Sequence, residues 1–488
     1  MKRLLVSLGV VLSFISCSSG TPAQQPKPPA EIPITSKSPE AIEHFKKGRD
    51  LSDNLRSAEA VQELDQAIKL DPDFAQALAY RGVAVPGPDG LKDLEQASAK
   101  AGAASKSEQL LIAALLAGRR ADYTKSQDLW KQLTDAAPDD WRAHMGRGAQ
   151  LYFLQKYSEA LDALNKATAL NPNAGPAYNM IGYAHLVQFE AGPAVEALRK
   201  YASLAPNEPN PQDSLGEALM ANGQFADAEA AFQKAISLSP SFGVAWEGVA
   251  YTKFFRGDWA GGQAAVAKAN EAASRASERS TAARLGAYGK LAEGKTAEGL
   301  NGIDALAKSP DARVVDVAFA SVDRAGVLAE GGRYLDAIAE AGKAVQAADG
   351  GQLPPAPALN VRNAALAVTA AAQGRMGDAA GAEKTVASLQ KQVDARPDDP
   401  FAKTTLHLAQ GMLAVAQKDM KAARTHFEMC VETDFACHWQ AVEVSRKAGD
   451  KAGADAALSR LTKLYVRDPL YVYARAMATR GATPKPSN

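Results

Sequence analysis

The chain has 488 residues, of which 46% are hydrophobic and 7% aromatic, so it can bury a large core as one long array or as several domains. Lysine plus arginine and aspartate plus glutamate number 55 each, which leaves no net positive field to gather nucleic acid or an anionic membrane surface. Three cysteines and six histidines without paired spacings form neither a disulfide scaffold nor a zinc site, so we expect no metal and no cofactor.

The amino terminus has the pattern of a targeting segment. A basic start precedes an apolar run at residues 4–15 that is too short to span a bilayer, and Cys17 follows it. The segment resembles a bacterial lipoprotein signal, although Phe14 stands where leucine is usual, and ordinary secretion is the alternative. The resemblance implies removal of residues 1–16, acylation of Cys17 with palmitate among the chains, and, from Ser18, an outer-membrane anchor facing the periplasm.

A change in composition marks the start of folded structure. Residues 17–38 are rich in proline, serine and glutamine and lack apolar periodicity, which predicts a disordered tether. Ser38 can then accept hydrogen bonds from free backbone amides, Pro39 suits a first helical turn and Glu40 complements the helix dipole. Helical structure is therefore predicted from residue 39.

The chain contains an internal repeat of 34 residues. Its clearest marker is a proline that follows an alanine-rich helix at a constant spacing of 34 (Pro138, Pro172, Pro206 and Pro240). Three further columns of the repeat hold small residues: Gly48, Gly82, Gly148, Gly182 and Gly216; Ala60, Ala160, Ala194 and Ala228; and Ala67, Ala167 and Ala235. Small side chains at fixed positions indicate two helices that cross closely within each unit.

This pattern resembles the tetratricopeptide repeat family, most closely at residues 41–74 and 141–242. The resemblance implies an all-α fold, a right-handed α-solenoid of about twelve helix-turn-helix units. The unit from residue 75 departs from the pattern, because PGPDG at residues 86–90 is expected to interrupt its second helix.

The same pattern predicts the organisation of the remaining chain. We expect a regular array at residues 39–276, divergent repeats at 277–351, carboxy-terminal repeats with a closing helix at 358–480, and a disordered tail at 481–488. The stretch GGQLPPAP is the predicted boundary before the last repeats, and Leu464 to Met477 is the predicted closing helix.

The resemblance implies that the first helices line a concave groove, and so predicts which side chains contact a partner. The predicted partner-binding residues are Tyr152, Phe153, Asn179, Tyr183, Asp213, Glu217, Glu247, Tyr251 and Phe254. Aromatic side chains are expected to supply most of the binding energy, and the three carboxylates to favour a basic ligand segment. Packing between helices is the alternative for each ring. The family's carboxylate clamp is not expected, because Met145 and Ala149 occupy its lysine and asparagine positions.

Two cysteines and the absence of catalytic motifs complete the prediction. Cys430 and Cys437 flank the short turn VETDFA, and outside the cytoplasm they could form a disulfide or remain two buried thiols. No nucleophile with a base, no paired carboxylates in a pocket and no phosphate loop is evident, so we predict that the protein is not an enzyme.

These features predict a membrane-anchored scaffold that binds proteins or peptides, in an envelope assembly, secretion or pilus-type complex. The lipid bilayer is a further partner through acylated Cys17, and nucleic acid is not. The alternative is an enzyme, or enzyme subunit, of envelope or glycan metabolism whose repeats present the substrate. The scaffold is favoured because the repeats leave no segment with the strand and helix alternation of a catalytic domain.

Overall fold

The computed structural model describes residues 32–480, apart from residues 55, 311, 397, 398 and 465. Within this part of the chain all regular structure is helical, with 25 α-helices and one 3-10 turn at Ala101–Ala103. None of the described helices is long and apolar enough to cross a membrane. The predicted signal peptide, Cys17 and the tail at residues 481–488 lie outside the described residues.

The helices form twelve consecutive hairpins and a closing helix, which confirms the all-α solenoid. The first helices of the hairpins are α1 (Pro39–Asp53), α3 (Ala75–Ala84), α5 (Lys106–Arg119), α7 (Trp141–Phe153), α9 (Gly175–Val187), α11 (Pro209–Ala221), α13 (Gly243–Phe255), α15 (Ala276–Glu293), α17 (Val314–Glu330), α19 (Pro355–Met376), α21 (Pro400–Ala416) and α23 (Phe435–Lys447). The second helices are α2 (Ser57–Leu70), α4 (Gly87–Lys100), α6 (Tyr123–Ala136), α8 (Tyr157–Leu170), α10 (Ala191–Leu204), α12 (Phe225–Leu238), α14 (Trp259–Ala272), α16 (Thr296–Ala307), α18 (Tyr334–Asp349), α20 (Ala379–Ala395), α22 (Met420–Glu428) and α24 (Lys451–Lys463). The closing helix is α25 (Pro469–Thr479).

The small residues of the repeat explain why the two helices of a hairpin pack so closely. A Cβ atom on Gly148 would lie 2.6 Å from Cγ of Leu164, and one on Gly182 would lie 2.4 Å from Cγ of Leu198. The alanine at the facing position, Ala160, has no exposed surface. Larger side chains at these positions would force the helices apart, so the repeat spacing of small residues fixes the hairpin geometry.

Two predicted boundaries are wrong. PGPDG does not interrupt the second helix of its unit: Pro86 precedes α4, Pro88 lies in its first turn and the preceding α3 is the shortened helix. Proline is tolerated in a first turn because its missing N–H has no helical partner there. For the same reason α25 begins at Pro469 and not at Leu464.

The stretch GGQLPPAP links α18 to α19 without separating their packing. Ala344 and Ala348 of α18 share a buried cluster with Val361 and Ala365 of α19, so the array continues across the predicted boundary.

Residues 32–37 form an extended segment, here called the amino-terminal strap, which is packed against the first units. The backbone N–H groups of Ile32, Thr35 and Lys37 donate to the carboxylates of Asp140, Glu108 and Asp71 respectively. Gln76 Nε2 donates to the Pro33 carbonyl over 3.0 Å. The disordered tether predicted to extend to residue 38 is therefore replaced by a packed backbone from Ile32, because side chains of successive units satisfy its amides.

The carboxy-terminal end turns back onto the inner side of the solenoid. Helix α25 packs against α13 and α15 as well as against α23 and α24. The Tyr471 ring lies 5.6 Å from the Phe255 ring, and the Tyr473 ring lies 6.4 Å from the Tyr288 ring, measured between centroids. Tyr471 is fully buried. The closing helix thus covers the inner surface of the central units.

Candidate functional site

An open cavity of about 560 Å³ lies on the inner side of the first five units. Helices α1, α3, α5, α6, α7 and α9 contribute its walls, together with Ile32 of the strap. Its apolar and aromatic lining comprises Ile32, Phe45, Tyr80, Val83, Leu111, Leu115, Tyr123, Trp130, Met145, Phe153, Pro176 and Met180. The volume is within the ~300–1,000 Å³ of ligand pockets in proteins.

Two side chains of the cavity lining are apolar and largely exposed. Phe153 is 61% exposed and Val83 is 46% exposed, although both are hydrophobic. The Tyr123 ring packs on the Phe153 ring with centroids 5.2 Å apart. Large apolar side chains that remain accessible and adjacent are typical of binding surfaces.

The cations of the cavity are paired with carboxylates of the same chain. Arg142 Nη2 lies 3.0 Å from Asp50, Arg142 Nε lies 3.2 Å from Asp53, and the guanidinium stacks over the Trp141 ring. Arg49 also pairs with Asp50. Burial is the largest effect on Asp53 and raises its pKa, against the lowering influence of Arg142. The cavity therefore offers no unpaired cation among these residues to attract a carboxylate ligand.

Two amide side chains in the cavity have unsatisfied polar atoms. Gln150 Nε2 and Asn179 Oδ1 are buried and have no hydrogen-bonding partner within the described part of the chain. A buried polar atom without a partner costs about 1–3 kcal/mol. Gln150 Nε2 is a hydrogen-bond donor, and Asn179 Oδ1 is a hydrogen-bond acceptor.

Beyond the cavity, the next units hold the predicted acidic residues in an internal contact. Arg467, which precedes the closing helix, has Nη2 at 2.8 and 2.9 Å from the two Asp213 oxygens. Its Nε pairs with Glu217, its Nη1 donates to the Val244 carbonyl over 3.2 Å, and its guanidinium lies over the Phe232 ring. We call Arg467, Asp213 and Glu217 the Arg467 cluster. The basic segment expected from a ligand is thus supplied by the chain itself.

The remaining predicted partner-binding residues lie either at the open cavity or among the helices that the carboxy-terminal segment covers. Phe153 and Asn179 line the cavity, and Tyr152 is partly buried beside Tyr157. The Tyr183 hydroxyl donates to Glu217. Exposures of 4% for Asp213, 3% for Glu217, 1% for Tyr251 and 2% for Phe254 contradict their prediction as open contact residues. Arg467 of the carboxy-terminal segment covers Asp213 and Glu217. Packing between adjacent helices encloses Tyr251 and Phe254.

Glu247 lies beside the Arg467 cluster, and its pKa makes stability depend on pH. Burial raises the pKa of Glu247 to about 7, with Arg467 opposing the shift and Asp213 adding to it. The folded chain therefore holds a proton that the unfolded chain releases between pH ~4.5 and 7. The contribution of the protonated Glu247 carboxyl to the free energy of unfolding is fully present below pH ~4.5 and is lost as the pH rises through 7.

We expect Glu247→Gln to remove this loss of stability at high pH, because the amide does not ionise. The variant should be more stable than the wild type by about 1–2 kcal/mol at pH 8, after allowance for partial exposure, and should show no such gain at pH 4. Urea unfolding at the two pH values measures the difference. Glu196→Gln, at an exposed position, is the matched control. An equal effect of Glu247→Gln at both pH values would contradict the assigned cause.

The structure joins Cys430 and Cys437 by a disulfide between the end of α22 and α23, with Cα atoms 6.5 Å apart. Among the described residues there is no group of three or more side chains that could hold a metal ion.

Family models support the assignment of the repeats. Tetratricopeptide repeat models match residues 45–85, 113–174 and 212–242, in register with the helical hairpins described above. The chain contains tetratricopeptide repeats at these residues. Such repeat proteins are typically non-catalytic scaffolds for other proteins. No curated protein matches this chain significantly.

Several solved structures are similar to parts of this chain. A crystal structure of MamA is 21% identical over 33% of this chain and 93% of its own, with a TM-score of 0.31. A second MamA structure is 22% identical over 34% of this chain and 96% of its own, with a TM-score of 0.30. YrrB, described as a TPR protein with an unusual peptide-binding site, is 18% identical over 42% of this chain and 89% of its own, with a TM-score of 0.25.

Sequence reasoning missed three features of the site. Arg467 was not singled out, because nothing local to it indicates a contact with Asp213, 254 positions away. Ile32 lies within the predicted tether, because the segment around it is rich in proline, serine and glutamine and lacks apolar periodicity. Gln150 precedes the predicted contact residues of its unit, Tyr152 and Phe153, and only the packed structure shows that an atom of its amide is buried without a partner.

Proposed function

We propose that the protein is a scaffold that binds segments of partner proteins in the open cavity of its first five units. The observation that carries the proposal is the accessible aromatic pair of Phe153 and Tyr123 at a cavity built by tetratricopeptide repeats. A large ring held at a surface while apolar side chains around it remain accessible provides an anchor for a partner's side chain.

The test is affinity capture with variants of the exposed apolar residues. Phe153→Glu should remove the captured partners while leaving thermal stability nearly unchanged, because the ring is largely exposed already. Leu335→Glu is the matched control, since Leu335 is 72% exposed on α18, which contributes no residue to the cavity lining. Unchanged capture by Phe153→Glu, or equal loss in both variants, would show that the cavity is not the binding site.

We propose further that the scaffold is anchored to the outer membrane through Cys17 and serves an envelope assembly, secretion or pilus-type complex. The proposal is supported by the basic start, the apolar run and the cysteine of the first seventeen residues. A protein with several acyl chains stays on a bilayer stably, since each buried CH₂ adds about 0.8 kcal/mol.

Cys17→Ala should move the protein from the membrane fraction to the soluble fraction or leave an uncleaved precursor. Fractionation together with metabolic labelling by a palmitate analogue measures both results, and Ser19→Ala serves as the control. A wild-type protein that carries no acyl label would exclude the lipid anchor.

A further inference from the structure

Ion pairs join the first hairpin to hairpins that come much later in the chain. Arg142, in the first turn of α7, has Nη2 at 3.0 Å from Asp50 and Nε at 3.2 Å from Asp53, both in the last turn of α1. Arg56, which precedes α2, has Nη1 at 3.0 Å from Glu208, which precedes α11. We call these five residues the clasp. The clasp connects the turn between α1 and α2 to the fourth and sixth hairpins.

The clasp is part of the wall of the open cavity. Asp53 of α1 and Arg142 of α7 belong to the lining, as do Phe45 of α1 and Met145 and Phe153 of α7. Both helices therefore line the same cavity, and the clasp ties them together there. A change in the distance between α1 and α7 changes the width of the cavity.

Apolar packing stabilises each of these hairpins separately. The buried cluster around Phe45 draws its members from the strap and the first two hairpins, and the cluster around Trp141 draws its members from the fourth and fifth. Helix α1 packs mainly on α2 and α3. The ion pairs of the clasp can therefore separate while both apolar clusters stay intact.

The accessibility of the clasp makes it sensitive to salt. Asp50 is exposed, and Arg56 and Glu208 are partly exposed, whereas Arg142 and Asp53 are more buried. Ion pairs between accessible side chains contribute little to stability and are screened by salt, because the Debye length falls from about 10 Å at 0.1 M to about 3 Å at 1 M. A contact of this kind is reversible.

The strap limits how far the clasp can open. The backbone N–H of Ile32 donates to Asp140, which precedes α7, and the Lys37 N–H donates to Asp71 at the end of α2. The strap thus joins the same hairpins by hydrogen bonds from its backbone. Separation of the clasp widens the cavity and does not detach the first hairpin.

We infer that the clasp is a reversible gate that sets the width of the open cavity. When its ion pairs separate, α1 moves away from α7, and the apolar lining becomes accessible to larger groups. The movement itself is independent of any ligand, whereas its consequence for partner proteins rests on the proposed function.

Spin labels at exposed positions Lys46 of α1 and Lys166 of α8 measure the movement in the full-length protein by double electron–electron resonance. The labels are attached to a ketone-bearing amino acid, so that the native cysteines do not react. Raising NaCl from about 0.05 M to about 1 M should lengthen the distance by several ångströms. Arg56→Gln/Arg142→Gln should show the longer distance at low salt. Arg120→Gln, which breaks an ion pair between the second and third hairpins, should not.

Modification of an introduced thiol measures access to the cavity. In a Cys17→Ala background, the thiol of Met145→Cys should react with a bulky maleimide about three- to tenfold faster when Arg56→Gln and Arg142→Gln are added, because the lost ion pairs no longer oppose widening. High salt should accelerate the reaction similarly without these two changes. Rates are divided by that of Asn165→Cys, at an exposed position, which removes the effect of salt on the reagent. Circular dichroism should show the same helical content throughout.

A spin-label distance that changes neither at high salt nor in Arg56→Gln/Arg142→Gln would overturn the inference. A longer distance without faster modification at position 145, or equal acceleration by Arg120→Gln, would also overturn it. If the distance stays fixed while Phe153→Glu abolishes capture, the inference falls and the proposed function stands. If the distance and the modification rate change as predicted while Phe153→Glu leaves capture unaffected, the gate stands and the proposed function falls.

Discussion

Arg467→Met is expected to lower the free energy of unfolding by about 3–5 kcal/mol, because it leaves two carboxylates buried without their cation. Asp213 and Glu217 are 4% and 3% exposed, and neither can gain solvation without displacing the closing segment. Urea unfolding measured by circular dichroism gives the magnitude. Amide hydrogen exchange should also accelerate in α11, α13 and α25, the helices that this contact joins.

The control is Arg333→Met, which breaks an ion pair between side chains that are 64% and 57% exposed and should change stability by no more than about 0.5 kcal/mol. Adding Asp213→Asn and Glu217→Gln to Arg467→Met should recover part of the loss, since no buried charge then remains. An Arg467→Met protein as stable as the wild type would mean that the carboxy-terminal segment does not occupy the inner face.

The second large effect is expected at a helix crossing of the repeat. Ala160→Trp should destabilise the protein by about 3 kcal/mol or more, because Ala160 has no exposed surface and the indole must displace neighbouring backbone. Glu159→Trp places the same side chain at the adjacent exposed position of α8 and should cost less than about 0.5 kcal/mol. Similar unfolding midpoints for the two variants would exclude the close crossing.

The hairpins could be predicted from sequence because their determinants are local and repeated. The prolines spaced by 34 and the small residues at Gly148 and Ala160 report contacts between helices that are neighbours in the chain. The same determinants recur in each regular unit, so an ambiguous unit can be aligned on its neighbours. The turn at PGPDG was assigned to the wrong helix because a proline can end one helix or begin the next.

The covered part of the inner face could not be predicted for a different physical reason. A repeat position identifies the side of a helix on which Tyr251 or Asp213 lies, but not what later packs on that side. Arg467 reaches Asp213 across 254 residues, and its place depends on the accumulated curvature of six intervening hairpins. The repeat pattern therefore indicates on which side of α11 Asp213 lies, but it does not predict that Arg467 of the same chain pairs with it.

We propose that partners bind at the open cavity, whereas the chain's own end covers the inner face beyond it. Site-specific photo-crosslinking from positions 153 and 183, in membranes that contain the partners, tests both halves at once. We predict crosslinks from position 153 to other proteins, and from position 183 only to the peptide that contains Arg467. Crosslinks to other proteins from position 183 with none from position 153 would contradict both the binding site and the covering by the chain's own end.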